Sequence, residues 1–235
     1  MKLIRFGEKG KELPGIQTSE GKYLDCSAFG EDWNEDFFDS DGLERLIDWL
    51  NTNQKELKEI PTGLRLGSPI ARPSKIICIG LNYRKHAEEA GMAVPEVPII
   101  FMKATSSLCG PFDPIFIPKN SVKTDWEVEL AVVIGKRAKY VKKENAFDYI
   151  AGYCLHNDVS ERDFQLHHGG QWVKGKSADH FAPLGPILVT KEEIKDPHNL
   201  RLWLKLNGKI LQDSNTSDLI FDIPTLIEHL SQYMT

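Results

Sequence analysis

Apolar positions fall into two textures along this chain. Before residue 70 they are short runs in a polar background: Leu3, Ile4 and Phe6 predict a strand over 3–6, and 15–27 reads as a hairpin turning at Ser19-Glu20-Gly21. Leu43, Leu46, Ile47 and Leu50 recur at helical spacing, so one helix face is predicted to carry them into a core. Asp41 and Glu44 form a capping-box-like start to that helix. Gly67-Ser68-Pro69-Ile70-Ala71-Arg72-Pro73 then interrupts the pattern, because two prolines and a Gly-Ser pair disfavour regular structure. The expected organisation is a small N-terminal unit, 1–70, and a larger unit, 71–235.

From Lys75 onward the texture becomes a series of β-like runs at 76–79, 99–102, 128–134, 149–155, 187–190 and 200–206. Asn207-Gly208 after the last of these is a strong hairpin-turn signal. Only two later segments read as helical: the polar stretch after Asn82, and 224–233, where Pro224 suits a first helical turn. Many strands with few helices predict a β-rich α+β fold. They exclude the regular strand–helix alternation of a doubly wound sheet. There is no internal repeat and no low-complexity tract.

Composition narrows the function classes. The chain has 235 residues, 41% of them apolar, which is enough for a sizeable core and too many for a disordered chain. A formal net charge of −5, with Lys and Arg scattered among acids, offers no basic stripe for nucleic acid. No run approaches the roughly 18 apolar residues of a membrane helix, and the start Met-Lys-Leu-Ile-Arg turns polar too soon for a signal peptide. The cysteines at 26, 78, 109 and 154 form no Cys-x-x-Cys pair, which points to a reducing cytoplasm rather than a disulfide framework or zinc site.

The segment Asp125-Trp126-Glu127-Val128-Glu129-Leu130 carries the most chemistry. Strand side chains alternate, so Glu127 and Glu129 share a face, with α-carbons roughly 6–7 Å apart. The nearly all-apolar run behind them predicts a strand buried on both faces. Two carboxylates entering such a strand are costly unless their charge is cancelled, which a divalent cation would do. The competing reading is a solvated strand face paired with lysines. Asp158, ending another β-like run, shifts the balance toward a metal. Three carboxylates without a Cys/His cluster suit a hard cation, Mg²⁺ first and Mn²⁺ acceptable.

Four blocks then resemble the fumarylacetoacetate hydrolase family. Gly80-Leu81-Asn82-Tyr83-Arg84-Lys85-His86-Ala87-Glu88-Glu89 resembles its Gly-x-Asn-Tyr-x-x-His-x-x-Glu signature, and Glu127-Val128-Glu129 its Glu-x-Glu. Asn157-Asp158-Val159-Ser160-Glu161-Arg162-Asp163-Phe164-Gln165 and Gln171-Trp172-Val173-Lys174-Gly175-Lys176-Ser177-Ala178-Asp179 resemble the next two, in the family's order. The resemblance runs from about residue 72 to the last residue. The opening Met1–Gly7, with Gly10 and Pro14-Gly15, resembles a bacterial subgroup of 2,4-diketo-3-deoxy-sugar-acid hydrolases and proteins labelled ureidoglycolate lyase. The resemblance implies a mixed β-sandwich roll catalytic domain, usually in homodimers. It also implies metal ligands Glu127, Glu129 and Asp158, a catalytic dyad His86 and Glu89, a lysine near the metal, Lys176, and substrate-side groups Arg162 and Gln165. Family members continue with a Pro-Gly-Asp turn and a Gly-Thr-Pro-x-Gly loop, and 231–235 stand just before it. The expectation is a chain truncated at its C-terminus, with closing strands to follow.

The chemistry expected is Mg²⁺-assisted hydrolysis of a carbon–carbon bond in a small 2,4-dioxo acid, the acylpyruvate type. His86, three residues from Glu89 on a helix, would deprotonate water, and Lys176 would meet the oxyanion. A lyase or decarboxylase acting on a 2-oxo acid or ureidoglycolate stands as the alternative, with a non-catalytic family member as the third reading. His167 and His168 read as solvated. Lys103, after an apolar run, either pairs with a site carboxylate or faces water. The Gly-x-x-x-x-Gly-Lys-Ser spacing from Gly170 to Ser177 lacks the preceding strand of a phosphate loop and is read as coincidence.

Overall fold

Short apolar runs at the N-terminus build half of the main sheet. The computed structural model describes residues 1–235. β1 (Lys2–Phe6) and β2 (Leu13–Gln17) pair antiparallel with Leu3 opposite Ile16, and β3 (Tyr23–Asp25) pairs onto β2. Gly21, at the expected turn, has φ +84°, a value that side chains with a Cβ resist.

Two helices follow, α1 (Glu35–Asp39) and α2 (Gly42–Asn53). Asn34 caps α1, its side chain accepting from the Phe37 N–H at 2.9 Å. The capping box expected at Asp41 does not form. Asp41 sits in the left-handed region, φ 56°, and its side chain makes no cap bond. The turn from α1 to α2 is tight enough that a Cβ on Gly42 would lie 2.2 Å from the Phe37 carbonyl oxygen, and this packing dictates the backbone at Asp41. Leu46 and Leu50 are buried as expected and Leu43 half-buried, but Ile47 is 48% exposed.

The remaining elements are β4 (Ile76–Gly80), α3 (Arg84–Glu89), β5 (Ile99–Lys103), β6 (Leu108–Cys109), β7 (Thr124–Asp125) and β8 (Val128–Ile134). After them come β9 (Ile150–Asn157), β10 (Ser160–Glu161), α4 (Arg162–His167), α5 (Val173–Lys176), β11 (Ala182–Pro183) and β12 (Leu188–Thr190). The hairpin β13 (Arg201–Leu206) and β14 (Lys209–Asn215) turns at Asn207-Gly208, both with positive φ, before α6 (Ile223–Tyr233). The architecture is strand-rich α+β: a six-stranded sheet, order β3-β2-β1-β12-β9-β8, and four two-stranded pairings. α4 and α5 escaped the sequence pattern because six and four residues are too few to display a helical period.

The linker around residue 70 lies between α2 and β4, and the main sheet runs across it. β1 pairs with β12, Lys2 opposite Val189 and Leu3 opposite Leu188. Leu3, Trp33, Phe37 and Leu46 share one core cluster with Val133, Ala151, Cys154 and Leu188. β8 is not buried on both faces as expected. It is the edge of the sheet, mostly half-buried, with Ile134 44% exposed, and it lines an apolar groove of about 630 Å³ that also touches β4 and α6. An apolar run marks a strand, but its burial depends on which elements flank it. All four cysteines are buried and free. No helix is long and apolar enough to cross a membrane.

Candidate active site

The ends of β8 and β9 bring the acidic residues together. Asp158 N–H donates to the Glu127 carbonyl at 3.0 Å, and Glu127 N–H donates to Asn157 Oδ1 at 3.1 Å, so the two residues face each other where the strands part. One step into the sheet Glu129 stands opposite His156 in register. β10 and β7 then turn the chain into α4, whose N-cap Glu161 is wholly buried and accepts from the N–H groups of Lys123 and Phe164 at 2.8 and 2.7 Å. That cap fixes Arg162 beside the cluster. Gly175 sets α5 against α4: a Cβ there would fall 2.4 Å from the Glu161 carbonyl oxygen. The glycine of the phosphate-loop-like spacing is therefore a packing glycine, and it delivers Lys176 to the centre.

Each carboxylate has one oxygen held by a resident side chain. Asp158 Oδ1 is bonded by the Lys103 ammonium, both side chains fully buried. Glu127 Oε1 meets the Arg162 guanidinium at 2.7 Å, and Glu129 Oε2 meets His156 Nδ1 at 2.9 Å. Lys176 Nζ then bridges two of the remaining oxygens, Glu127 Oε2 at 2.8 Å and Asp158 Oδ2 at 2.7 Å, while lying 4.9 Å from the centre of the Phe101 ring. Lysine and arginine thus already balance the buried acids, so their burial alone does not choose a cation over the lysine pairing that the sequence also allowed.

Electrostatics separates the two acids that share Lys176. Burial pushes the Glu127 carboxyl above the usual range, and Asp158 adds to the rise, against the pull of Lys176. Burial also works to raise Asp158, but Lys103 and Lys176 overcome it and hold that carboxyl below its ordinary value. Burial disfavours charge on Lys176 too, yet Asp158 and Glu127 outweigh it and keep the ammonium protonated.

The convergent donor set is not the expected trio: two hard carboxylates and a thiol come together, and Glu127 is outside that group, so a hard divalent cation would be met there by the oxygens of Glu129 and Asp158. Glu129, Asp158 and Cys78 each offer a ligand atom, all within 4.8 Å of one another, and Glu127 stands across the Lys176 ammonium from Asp158. Cys78 was not anticipated. Burial, with Glu129 and Asp158 nearby, pushes its thiol far above the ordinary value, so it remains a neutral wall. Lys103 and His156 are the other residues that sequence reasoning left unassigned or missed. A lysine closing an apolar strand was the only local signal for the first, and adjacency to Asn157-Asp158 the only one for the second.

The other expected site residues are held in different ways. His86 and Glu89 are both exposed on α3, and no side-chain hydrogen bond joins them to each other or to the cluster. α3 is tethered instead through Asn82, whose amide accepts from Phe221 N–H at 2.9 Å and donates to the Phe221 carbonyl at 3.1 Å. Gln165 is buried and accepts from Arg162 at 3.3 Å. Arg162 is itself held by Asp125 and Glu127. His167 and His168 are exposed.

Residues 75–235 match the family model for the C-terminal domain of fumarylacetoacetate hydrolase. A Burkholderia multivorans relative, whose name goes no further than a provisional "hydrolase", is 49% identical over 235 residues, all of this chain and 82% of its own length. Maleylpyruvate hydrolase from Sphingobium sp. SYK-6, solved with manganese(II) and pyruvate, superposes with a TM-score of 0.83 at 29% identity, covering 100% of this chain and 84% of that one. A 5-carboxymethyl-2-hydroxymuconate delta-isomerase from Mycobacterium smegmatis gives a TM-score of 0.76 at 33% identity, covering 100% and 82%.

Proposed function

The chain belongs to the fumarylacetoacetate hydrolase family, and from that membership we propose that it hydrolyses a carbon–carbon bond in a small 2,4-dioxo acid of the acylpyruvate type, with Mg²⁺ or Mn²⁺ bound. The observation that carries this is the gathering of the carboxylates: Glu127, Glu129 and Asp158 each have one oxygen held by Arg162, His156 or Lys103, the second oxygens of Glu127 and Asp158 share the Lys176 ammonium, and Glu129 and Asp158 offer ligand atoms within 4.8 Å of each other. A divalent cation held there supplies Lewis-acid polarisation of a chelating 2-oxo acid.

The chain's own residues do the rest. Lys176 directs positive charge at the oxyanion formed when water adds to the distal carbonyl. Arg162 and Gln165, linked at 3.3 Å, line the substrate side. His86 takes the proton from water, with Glu89 one helical turn away to orient the imidazole and stabilise its charge. Neither side chain is hydrogen-bonded to the cluster, so the dyad's contacts with water and substrate form in the substrate complex, where catalytic contacts tighten.

Incubation with an acylpyruvate tests the reading. Pyruvate and a carboxylic acid are expected with Mg²⁺ and not after chelation, and Asp158→Asn abolishes the metal-dependent turnover. Full turnover in the chelator overturns the metal's role, and full activity of His86→Ala removes the dyad as the base. A second reading, isomerisation, has the Mycobacterium smegmatis neighbour behind it. It predicts a product of unchanged mass, which separates it from hydrolysis in the same assay.

A further inference from the structure

The β4–β5 hairpin turns one face toward the carboxylate cluster, and the chemistry of that face changes along its length. Residues paired across an antiparallel ladder point the same way, so Ile76 with Lys103, Cys78 with Phe101 and Gly80 with Ile99 share it. Lys103 bonds Asp158, and Cys78 lies against Glu129 and Asp158. At Phe101 the face becomes apolar. The centre of that ring lies 4.9 Å from Lys176 Nζ. Trp172, the N-cap residue of α5, meets the same ring edge to face, with centroids 5.2 Å apart. Gly80 makes room for the indole: a Cβ there would fall 2.8 Å from Trp172 Cζ3 and 3.3 Å from Ile99 Cγ2. Phe101, Trp172 and Ile99 are each only half-buried, so the wall they form keeps surface to offer.

We propose that Phe101 and Trp172 form the specificity wall for the acyl group of the substrate, and that they select an apolar acyl group over a hydroxylated or carboxylated one. This rests on the acylpyruvate reading above. In that reading Lys176 meets the oxyanion of the attacked carbonyl, and the acyl substituent is bonded to that same carbon. The substituent therefore starts close to the lysine, where Phe101 is the neighbouring apolar surface and Trp172 extends it. Aromatic faces and edges gain from contact with hydrocarbon. A hydroxyl or carboxylate placed against them would lose its water, and the side chains of Phe101 and Ile99 have no polar atom to replace it. Such a wall would set this chain apart from the sugar-acid hydrolases that its opening resembles. Gly80 is then a positioning residue, since its missing side chain decides where the indole lies.

Values of kcat/KM for acetylpyruvate, benzoylpyruvate and maleylpyruvate, measured with Mg²⁺ on wild type and variants, test the wall. Comparing ratios between proteins cancels the intrinsic reactivity of each substrate. In Trp172→Leu the benzoyl-to-acetyl ratio is expected to fall about tenfold, within the range that a hydrophobic pocket commands over one substrate group. The benzoyl-to-maleyl ratio should fall with it, and Phe101→Leu should lower both in the same way. A tryptophan that only packs α5 onto the hairpin would reduce all three values by one factor and leave the ratios at wild-type levels. That result, or a benzoyl-to-maleyl ratio that rises, overturns the wall and leaves the hydrolase reading standing. If Trp172→Leu does not fold, Gly80→Ala, whose Cβ displaces the indole, must lower the same ratios. A wild type that cleaves none of the three would instead remove the acylpyruvate reading, and the wall with it.

Discussion

Two charged clusters in this molecule are built on opposite plans. One ties the N-terminal segment to the loop after β6: Arg65 forks onto both oxygens of Asp113, each at 2.7 Å, and reaches Glu12 at 2.8 Å and the Gly7 carbonyl at 3.0 Å. Gly110 N–H adds a further bond to Asp113 Oδ2 at 2.8 Å. Every strong acceptor there is used by a group with one fixed geometry. The other cluster, around Asp158, leaves one oxygen per carboxylate either unclaimed or shared through a single flexible lysine. A saturated network of planar guanidinium bonds makes a joint. The other, held in shape by buried partners on its far side, is the cluster proposed above to bind a metal and substrate.

Removing a buried anchor is the strongest way to break that contrast. In Lys103→Met the Asp158 carboxylate loses a fully buried partner, and unfolding free energy should fall by about 3 kcal/mol, the low end for a broken buried pair because Lys176 still compensates. Chemical denaturation of the metal-free protein measures it. A loss under about 1 kcal/mol, the range of exposed pairs, would mean that Lys103 is not the rigid support of Asp158 and that the two clusters are less different than their geometry.

The contrast also explains what could be read in advance. The acids Glu127, Glu129 and Asp158 and the lysine at 176 were legible because strand alternation and motif spacing are local, and the fold does gather them. The anchors were not, because each depends on a long-range choice. His156 meets Glu129 only through the β8–β9 register, and Lys103 meets Asp158 only because β5 ends beside the turn into β10. β8 was read as a strand correctly and as doubly buried incorrectly for the same reason: alternation is encoded in neighbouring residues, flanking elements are not. The capping box at Asp41 failed to a local contact, Gly42 packed on Phe37 across the tight α1–α2 turn, that the capping pattern does not contain. The helix carrying His86 and Glu89 was equally legible, while the anchoring of the chain just before it, through Asn82 to Ile220 and Phe221, was not.

The joint should respond more mildly and with a definite pH dependence. Arg65→Lys keeps the charge but loses the fork, and a cost of about 1–2 kcal/mol is expected from lost charge-assisted bonds. The hydrogen bond from Arg65 holds the Asp113 carboxyl below its ordinary value against the opposing effect of burial. At Glu12 burial likewise raises the carboxyl, but Arg65 and Arg5 outweigh it. Both folded-state values are depressed, so the folded protein binds fewer protons than the unfolded chain in that window. The stabilisation is present above an unfolded pKa of about 4 and is lost as pH falls through the folded values. The gap between wild type and Arg65→Lys should therefore narrow on acidification. A gap that is constant with pH would show that the fork contributes shape rather than charge.

The smallest effect sharpens the point most. Arg201 forks onto Asp213 with almost the same geometry as Arg65 on Asp113, at 2.8 and 2.6 Å, but on the open face of the β13–β14 hairpin, where the side chains are 60% and 43% exposed. Water already solvates both groups, so the pair gains little by meeting and is screened by salt. Arg201→Ala is expected to leave the thermal midpoint at the wild-type value. A clear drop would mean that the fork alone strengthens a contact. The contrast between joint and site would then reduce to arginine against lysine, with burial of the partners playing no part.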